Sequence, residues 1–165
     1  MAPASTSSSP AALLREDELR AWAGFLRAHA SLMAQLDREL EASHGLPLRS
    51  FDVLVQLAQA PDRRLRMSEL ADAVVLSRSG LTRLVDRLTE QGYVERQRCP
   101  SDARGAHAVL TAAGLRRVRR AGPTHVASVR RLFHSRFSDD ELRALGEFWE
   151  RLAGPAGVGG QPQAS

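Results

Sequence analysis

Arg78, Ser79, Thr82 and Arg83 lie within one stretch of six residues, and Arg87 follows four positions later. Their guanidinium and hydroxyl groups suit one kind of chemistry, hydrogen bonding to nucleic acid. Arginine fits the two acceptors of a guanine edge, while serine and threonine reach either base type or a phosphate oxygen. Ser68 and Ser77 precede two helical patterns and read as phosphate contacts, through their hydroxyls or the helix N-termini they open.

Other chemistries find less support. His29, His44, His107, His125 and His134 show no recognisable metal-ligand spacing. Cys99 is the single cysteine, near Arg96 and Arg98, whose charge favours a thiolate. It has no resolving partner in the chain, so a thiol-based redox sensor stands only as an alternative. No glycine-rich phosphate loop, nucleophile elbow or metal-hydrolase pattern occurs, so the reading assigns no catalytic residue, no metal and no cofactor.

The recognition residues need a helix to present them. Ser77 is the expected N-cap of a helix reaching about Gln91, with Gly92 in the C′ position. At about 100° per residue, Leu81, Leu84, Val85 and Leu88 share one face. Ser79, Thr82, Arg83 and Asp86 share the opposite one, with Arg87 nearby and Arg78 at the N-terminal edge. Ser68 is expected to cap a shorter helix over 69–74, leaving only Val75 and Leu76 between the two. That is the layout of a helix-turn-helix whose second helix enters the major groove.

A hairpin is expected next, with a strand over 93–98, a turn over 99–105 and a returning strand over 107–110. Its tip, Pro100 to Gly105, holds Asp102 and Arg104 two apart. An arginine on a protruding tip suits the minor groove, where negative potential concentrates, and Asp102 would hold it extended. A winged helix that docks a protein partner is the rival reading, but it has no need of arginine on both the helix and the tip.

The flanks supply apolar seams. Residues 14–43 read as one helix with Leu19, Trp22, Leu26, His29, Met33, Leu36 and Leu40 at alternating three–four spacing, ended by Gly45 and Pro47. This stripe is longer than one small domain usually covers, so a partner chain is expected to share it, with His29 packed in the seam. A helix over 50–60 turns Phe51, Leu54, Val55 and Leu57 inward, and Leu65–Met67 reads as an edge strand. Thr111 caps a helix to Arg120, which Gly122–Pro123 should kink or interrupt. Ser138 and Glu141 form a capping box opening a last helix with Leu142, Leu145, Trp149 and Leu152. Residues 1–12 and 154–165 read as disordered tails.

Composition narrows the partner. Residues 61–120 carry thirteen arginines and seven acids, whereas 1–60 carry five and seven, and 121–165 five of each. A basic middle between acidic and neutral ends points to a polyanion. Lys, Asn and Ile are absent, which reflects GC-rich bacterial coding rather than function. Neither a secretory leader nor a membrane span is evident, so a cytoplasmic, nucleoid-associated location and no membrane partner are expected.

The stretch SELADAVVLSRSGLTRLVDRLTEQGYVER at 68–96, the tip PSDARG at 100–105 and LTAAG at 110–114 together resemble the MarR (multiple antibiotic resistance regulator) family of bacterial repressors. The resemblance implies a mainly α fold with a small β-hairpin wing. A winged helix-turn-helix lobe (48–110) would be flanked by N-terminal (14–45) and C-terminal (111–153) dimerisation helices in a triangular homodimer. It implies binding to a pseudo-palindromic operator in double-stranded DNA, and release by a small aromatic or phenolic effector. By position, Asp102 and Arg104 match the family's wing pair and Ser77 to Arg83 its recognition helix. Trp22, Phe25, His29, Met33 and Phe51 are nominated for the effector.

Overall fold

The computed structural model describes residues 14–74, 76–99 and 102–153, with the side chains of 98–105 and 153 excepted. In chain order these form α1 (Glu16–His44), α2 (Leu48–Gln59), β1 (Arg64–Arg66), α3 (Met67–Ala73), α4 (Arg78–Glu90), β2 (Val94–Cys99), β3 (Asp102–Leu110), α5 (Ala112–Leu132) and α6 (Asp139–Ala153). The backbone divides into two compact units at Ala34, so α1 contributes to both.

Local chemistry sets the element ends. Glu16, Asp17 and Glu18 place negative charge at the positive end of α1. Gly45, with φ of 57°, supplies the left-handed residue that ends it. The first N–H of α2, at Leu48, is held by the Asp37 carboxylate at 2.8 Å. At α6 the expected capping box is present: Ser138 N–H donates to Glu141 Oε2 at 2.8 Å, and Glu141 N–H to Ser138 Oγ at 3.4 Å. The Ser138 N–H, and after it the Ser138 hydroxyl donating to the same Oε2 at 3.0 Å, hold the Glu141 carboxyl below its usual pKa.

The second unit holds the core. Val53, Leu54 and Leu57 of α2, Leu70 of α3, Val85 of α4 and Val94 and Ala108 of the sheet are all essentially inaccessible to water. Closing this interior is the main favourable term for the lobe. The antiparallel sheet has the order β1-β3-β2. Leu65, Ala108 and Arg96 align across it, as do Arg66, His107 and Gln97 one position on.

Four details differ from the sequence expectation. Ser68 is not an N-cap, because α3 begins at Met67 directly from β1. The Glu69 carboxylate satisfies the preceding donor, Arg66 N–H, at 3.0 Å, so Ser68 sits in the first turn with an exposed side chain. The edge strand lies at Arg64–Arg66 rather than 65–67.

The hairpin arms are also longer than expected. Residues 99 and 102–105 are strand, not turn, because Cys99 still pairs with Asp102. Arg98 pairs with Ala106, so Ala103, Arg104 and Gly105 form a bulge with no counterpart in β2. The expected tip residues Pro100 and Ser101 lie outside the described residues.

Finally, α5 runs unbroken through Pro123. The proline is exposed and so is Arg119, four residues earlier, so water can reach the carbonyl the ring deprives of its bond. Ala121 and Ser128 are buried on either side of it and His125 packs on Phe51 at 4.9 Å, anchoring both halves of the helix.

Candidate nucleic-acid interface

Ser77 caps α4 as its sequence predicts, accepting from Gly80 N–H at 3.2 Å. Leu81, Leu84, Val85 and Leu88 are buried, which fixes the helix rotation and leaves Arg78, Ser79, Thr82, Arg83, Asp86 and Arg87 exposed. Ser79 Oγ lies 3.4 Å from Ser77 Oγ. Among the described residues, Arg78, Arg83 and Arg87 form no ion pair, so the face presents free guanidinium groups. Ser68 lies on α3 with its hydroxyl unused for capping.

Asp86 is the acid that lies among these arginines, with Glu90 one turn further on at the end of the helix, and Asp86 is not free. Its Oδ1 lies 3.2 Å from Nη2 of Arg96 on β2. The contact neutralises a charge that would otherwise oppose phosphate, and it ties the first wing strand to α4. Sequence reasoning placed both residues but not their pairing, because only the folded hairpin brings β2 onto α4.

Asp102 and Arg104 both fall on the outer part of β3, Arg104 within the bulge. The expected bridge between them, and the setting of the Cys99 thiol, concern side chains outside the described residues.

The wing base is tightly specified. Thr111 Oγ1 donates to the Gly92 carbonyl at 2.7 Å and accepts from Gly114 N–H at 3.0 Å, capping α5. A Cβ on Gly114 would stand 2.2 Å from the Tyr93 carbonyl oxygen and 2.7 Å from Leu110 Cδ1. Arg117, one turn on, lies over the Tyr93 ring at 5.8 Å and donates to the His44 and Gly45 carbonyls. The wing base, α5 and the end of α1 are thereby joined.

Further along α5, His44 Nε2 and Thr124 Oγ1 share a hydrogen bond at 2.8 Å. Ser128 and Arg131 donate to the Glu39 carboxylate, and the Arg131 bond above all holds its pKa below the usual value.

The residues nominated for an effector fall in both units. On α1, Trp22, Phe25 and His29 form a row with ring separations of 6.0 and 6.1 Å, and all three are exposed. His29 is therefore not packed within the chain, because this part of the seam stays open. Met33 is half-buried. Phe51 is core, against His125, whose pKa burial pushes below 6.5. Beside Phe51, burial raises the Asp52 carboxyl to about 6, with Arg49 opposing and Asp37 reinforcing the shift. Among the described residues no group of three or more His, Cys, Asp or Glu is placed to hold a metal ion, and no helix is long and apolar enough to cross a membrane.

A sequence model of the MarR family matches residues 44–105, which hold α2, β1, α3, α4, β2 and the start of β3. The HTH-type transcriptional repressor YetL of Bacillus subtilis is 31% identical over 116 residues, covering 68% of this chain and 69% of YetL. The structure of Sco3205, a MarR family transcriptional regulator from Streptomyces coelicolor in complex with DNA, superposes with a TM-score of 0.83. That match has 36% identity and covers 92% of this chain and 97% of Sco3205. CouR from Rhodococcus jostii RHA1, bound to p-coumaroyl-CoA, gives a TM-score of 0.69 at 27% identity, over 82% of this chain and 94% of CouR.

Proposed function

The chain belongs to the MarR family of transcriptional regulators, and from that premise we propose that it is a homodimeric repressor whose hold on its operator responds to a small effector. The observation carrying DNA binding is the α4 face: Arg78, Ser79, Thr82, Arg83 and Arg87 stand exposed on a helix whose opposite face is locked in the core. In this reading Arg78, Ser79, Thr82 and Arg83 read base edges in the major groove, while Ser68, Ser77 and Arg87 touch phosphates. Arg104 enters the minor groove, oriented by Asp102. The DNA-bound state of Sco3205, at 36% identity, supports the same use of the fold.

Dimerisation is supported by apolar surface the chain leaves open. Leu19, Trp22, Phe25 and Leu26 of α1 are exposed, as are Phe148, Trp149 and Leu152 of α6. Large apolar side chains left exposed on one helix mark an association surface, and each of the two helices carries such a set. A two-fold dimer carrying two α4 helices matches an operator of two half-sites about one helical turn, roughly 34–36 Å, apart. Residues 14–45 and 111–153 then serve as the dimerisation helices and 48–110 as the DNA-binding lobe.

The effector reading is supported by CouR, which is bound to a phenolic acyl thioester. Of the residues nominated for it, Trp22, Phe25, His29 and Met33 of the first unit are the ones proposed to meet an aromatic effector here, while Phe51 packs in the core of the second unit.

Electrophoretic and anisotropy titrations with duplexes from the region upstream of the chain's own coding sequence test the reading. One dimer per site and release by an aromatic acid are expected. Binding by a monomer, or equal affinity for every duplex, would overturn it.

A further inference from the structure

We propose that Asp86 is a positioning residue for DNA recognition, setting the wing against the recognition helix through Arg96. The inference rests on the DNA-binding reading of α4 and the hairpin. By charge alone Asp86 is a liability there: it follows Arg83 by three residues on the same exposed face, where it would repel phosphate.

Its geometry gives it another use. Arg96 aligns across the sheet with Ala108 and Leu65, and Ala108 is fully buried, so this position faces the inner side of the sheet. Val94, two residues before it on the same side, is buried as well. The Arg96 side chain therefore runs beneath the hairpin toward α4 and meets Asp86 at 3.2 Å.

The tie falls just before the hairpin becomes irregular, since the ladder slips register between Arg98 and Cys99. Beyond it, the wing extends on a bulged arm. The angle at which that arm leaves the lobe decides whether Arg104 and the α4 residues reach adjacent grooves together. An exposed ion pair contributes little to folding stability, and its value here is orientation.

The sign of one substitution separates the two roles. Operator affinity, hydroxyl-radical footprints for the minor groove, dimethyl sulfate footprints at guanine N7 for the major groove, and melting temperature are measured for the full-length wild type, Asp86→Asn, Asp86→Glu, Arg96→Gln and the double variant Asp86→Asn with Arg96→Gln. Positioning predicts that Asp86→Asn binds roughly threefold or more weakly. Its minor-groove protections should fade while the major-groove ones persist, at unchanged melting temperature. Asp86→Glu should restore binding, and the double variant should be no weaker than Arg96→Gln alone, since coupled residues do not add.

Unchanged or tighter binding by Asp86→Asn, or uniform loss of all protections, overturns the proposal while leaving the DNA reading intact. A wild-type chain that binds no duplex removes both.

Discussion

Arg117 lies over the ring of Tyr93 at 5.8 Å while its guanidinium also donates to the Gly45 carbonyl at 3.2 Å. One side chain thus joins the start of the wing, the first turns of α5 and the end of α1, where cationic groups complement the negative end of the helix. Arg117→Met, which keeps much of the stem and loses the donors, should destabilise the chain by about 1–3 kcal/mol. Thermal and urea unfolding measure this, and a change under a few tenths of a kcal/mol would show that the junction holds without it.

Gly114 makes a sharper case because two effects oppose. In an open helix interior Gly→Ala stabilises by about 1 kcal/mol. At Gly114 the new methyl would meet the Tyr93 carbonyl at 2.2 Å, against backbone that has no alternative rotamer. The clash should win, so Gly114→Ala is expected to lower the melting temperature and weaken DNA binding by lifting the wing base off α5. A melting temperature raised by the substitution would contradict the packing described for this turn.

That contact also shows what was legible in the sequence and what was not. The LTAAG stretch was recognisable as a pattern, but the reason for its glycine is the approach of Tyr93, twenty-one positions earlier. Signals carried by neighbouring residues, such as the Ser77 and Thr111 caps and the leucine spacing of α4, were readable directly. Those settled by distant residues were not: Asp86 with Arg96, Arg117 with Gly45, and the passage of α5 through Pro123. Ser68 misled because a serine before an acidic residue is a good cap in isolation, yet β1 delivers the chain into α3 already turning. The wing arms ran longer than their turn-rich composition suggested because cross-strand pairing extends to Cys99 and Asp102.

Asp52 gives the fold a pH signature. Its folded-state pKa of about 6 lies above the ordinary 3.8, so the folded chain holds this proton more tightly than the unfolded chain. Its contribution to stability is therefore best at low pH, falls as pH rises from about 4 to 6, and is a full cost above that. Asp52→Asn should raise unfolding free energy at pH 7 by an amount of order 1–3 kcal/mol, with the gain vanishing below about pH 4. His125, pushed down by burial, acts oppositely, losing stability as pH falls below 6.5, so the test is the difference between variant and wild type at each pH. A gain independent of pH would detach the effect from titration.

The two arginines assigned to different grooves should fail differently. Arg83→Ala is expected to cost roughly 1–3 kcal/mol of binding and relax preference at one base position. Arg104→Ala should weaken binding to all sequences and reduce the salt slope by about one unit. Competition with a panel of single-base operator variants distinguishes them, and a uniform loss for Arg83→Ala would make it a phosphate contact.

The central claim is that the α4 face and the wing bind duplex DNA through phosphate neutralisation and base contacts together. The most direct measurement is the affinity of the full-length protein for an operator-sized duplex across roughly 50–200 mM salt, where each neutralised phosphate contributes about −0.9 to the slope of log K against log salt. A slope equivalent to several phosphate contacts, with operator DNA bound far more tightly than unrelated duplex, is the predicted result. Affinity that is indifferent to salt and to sequence would contradict it.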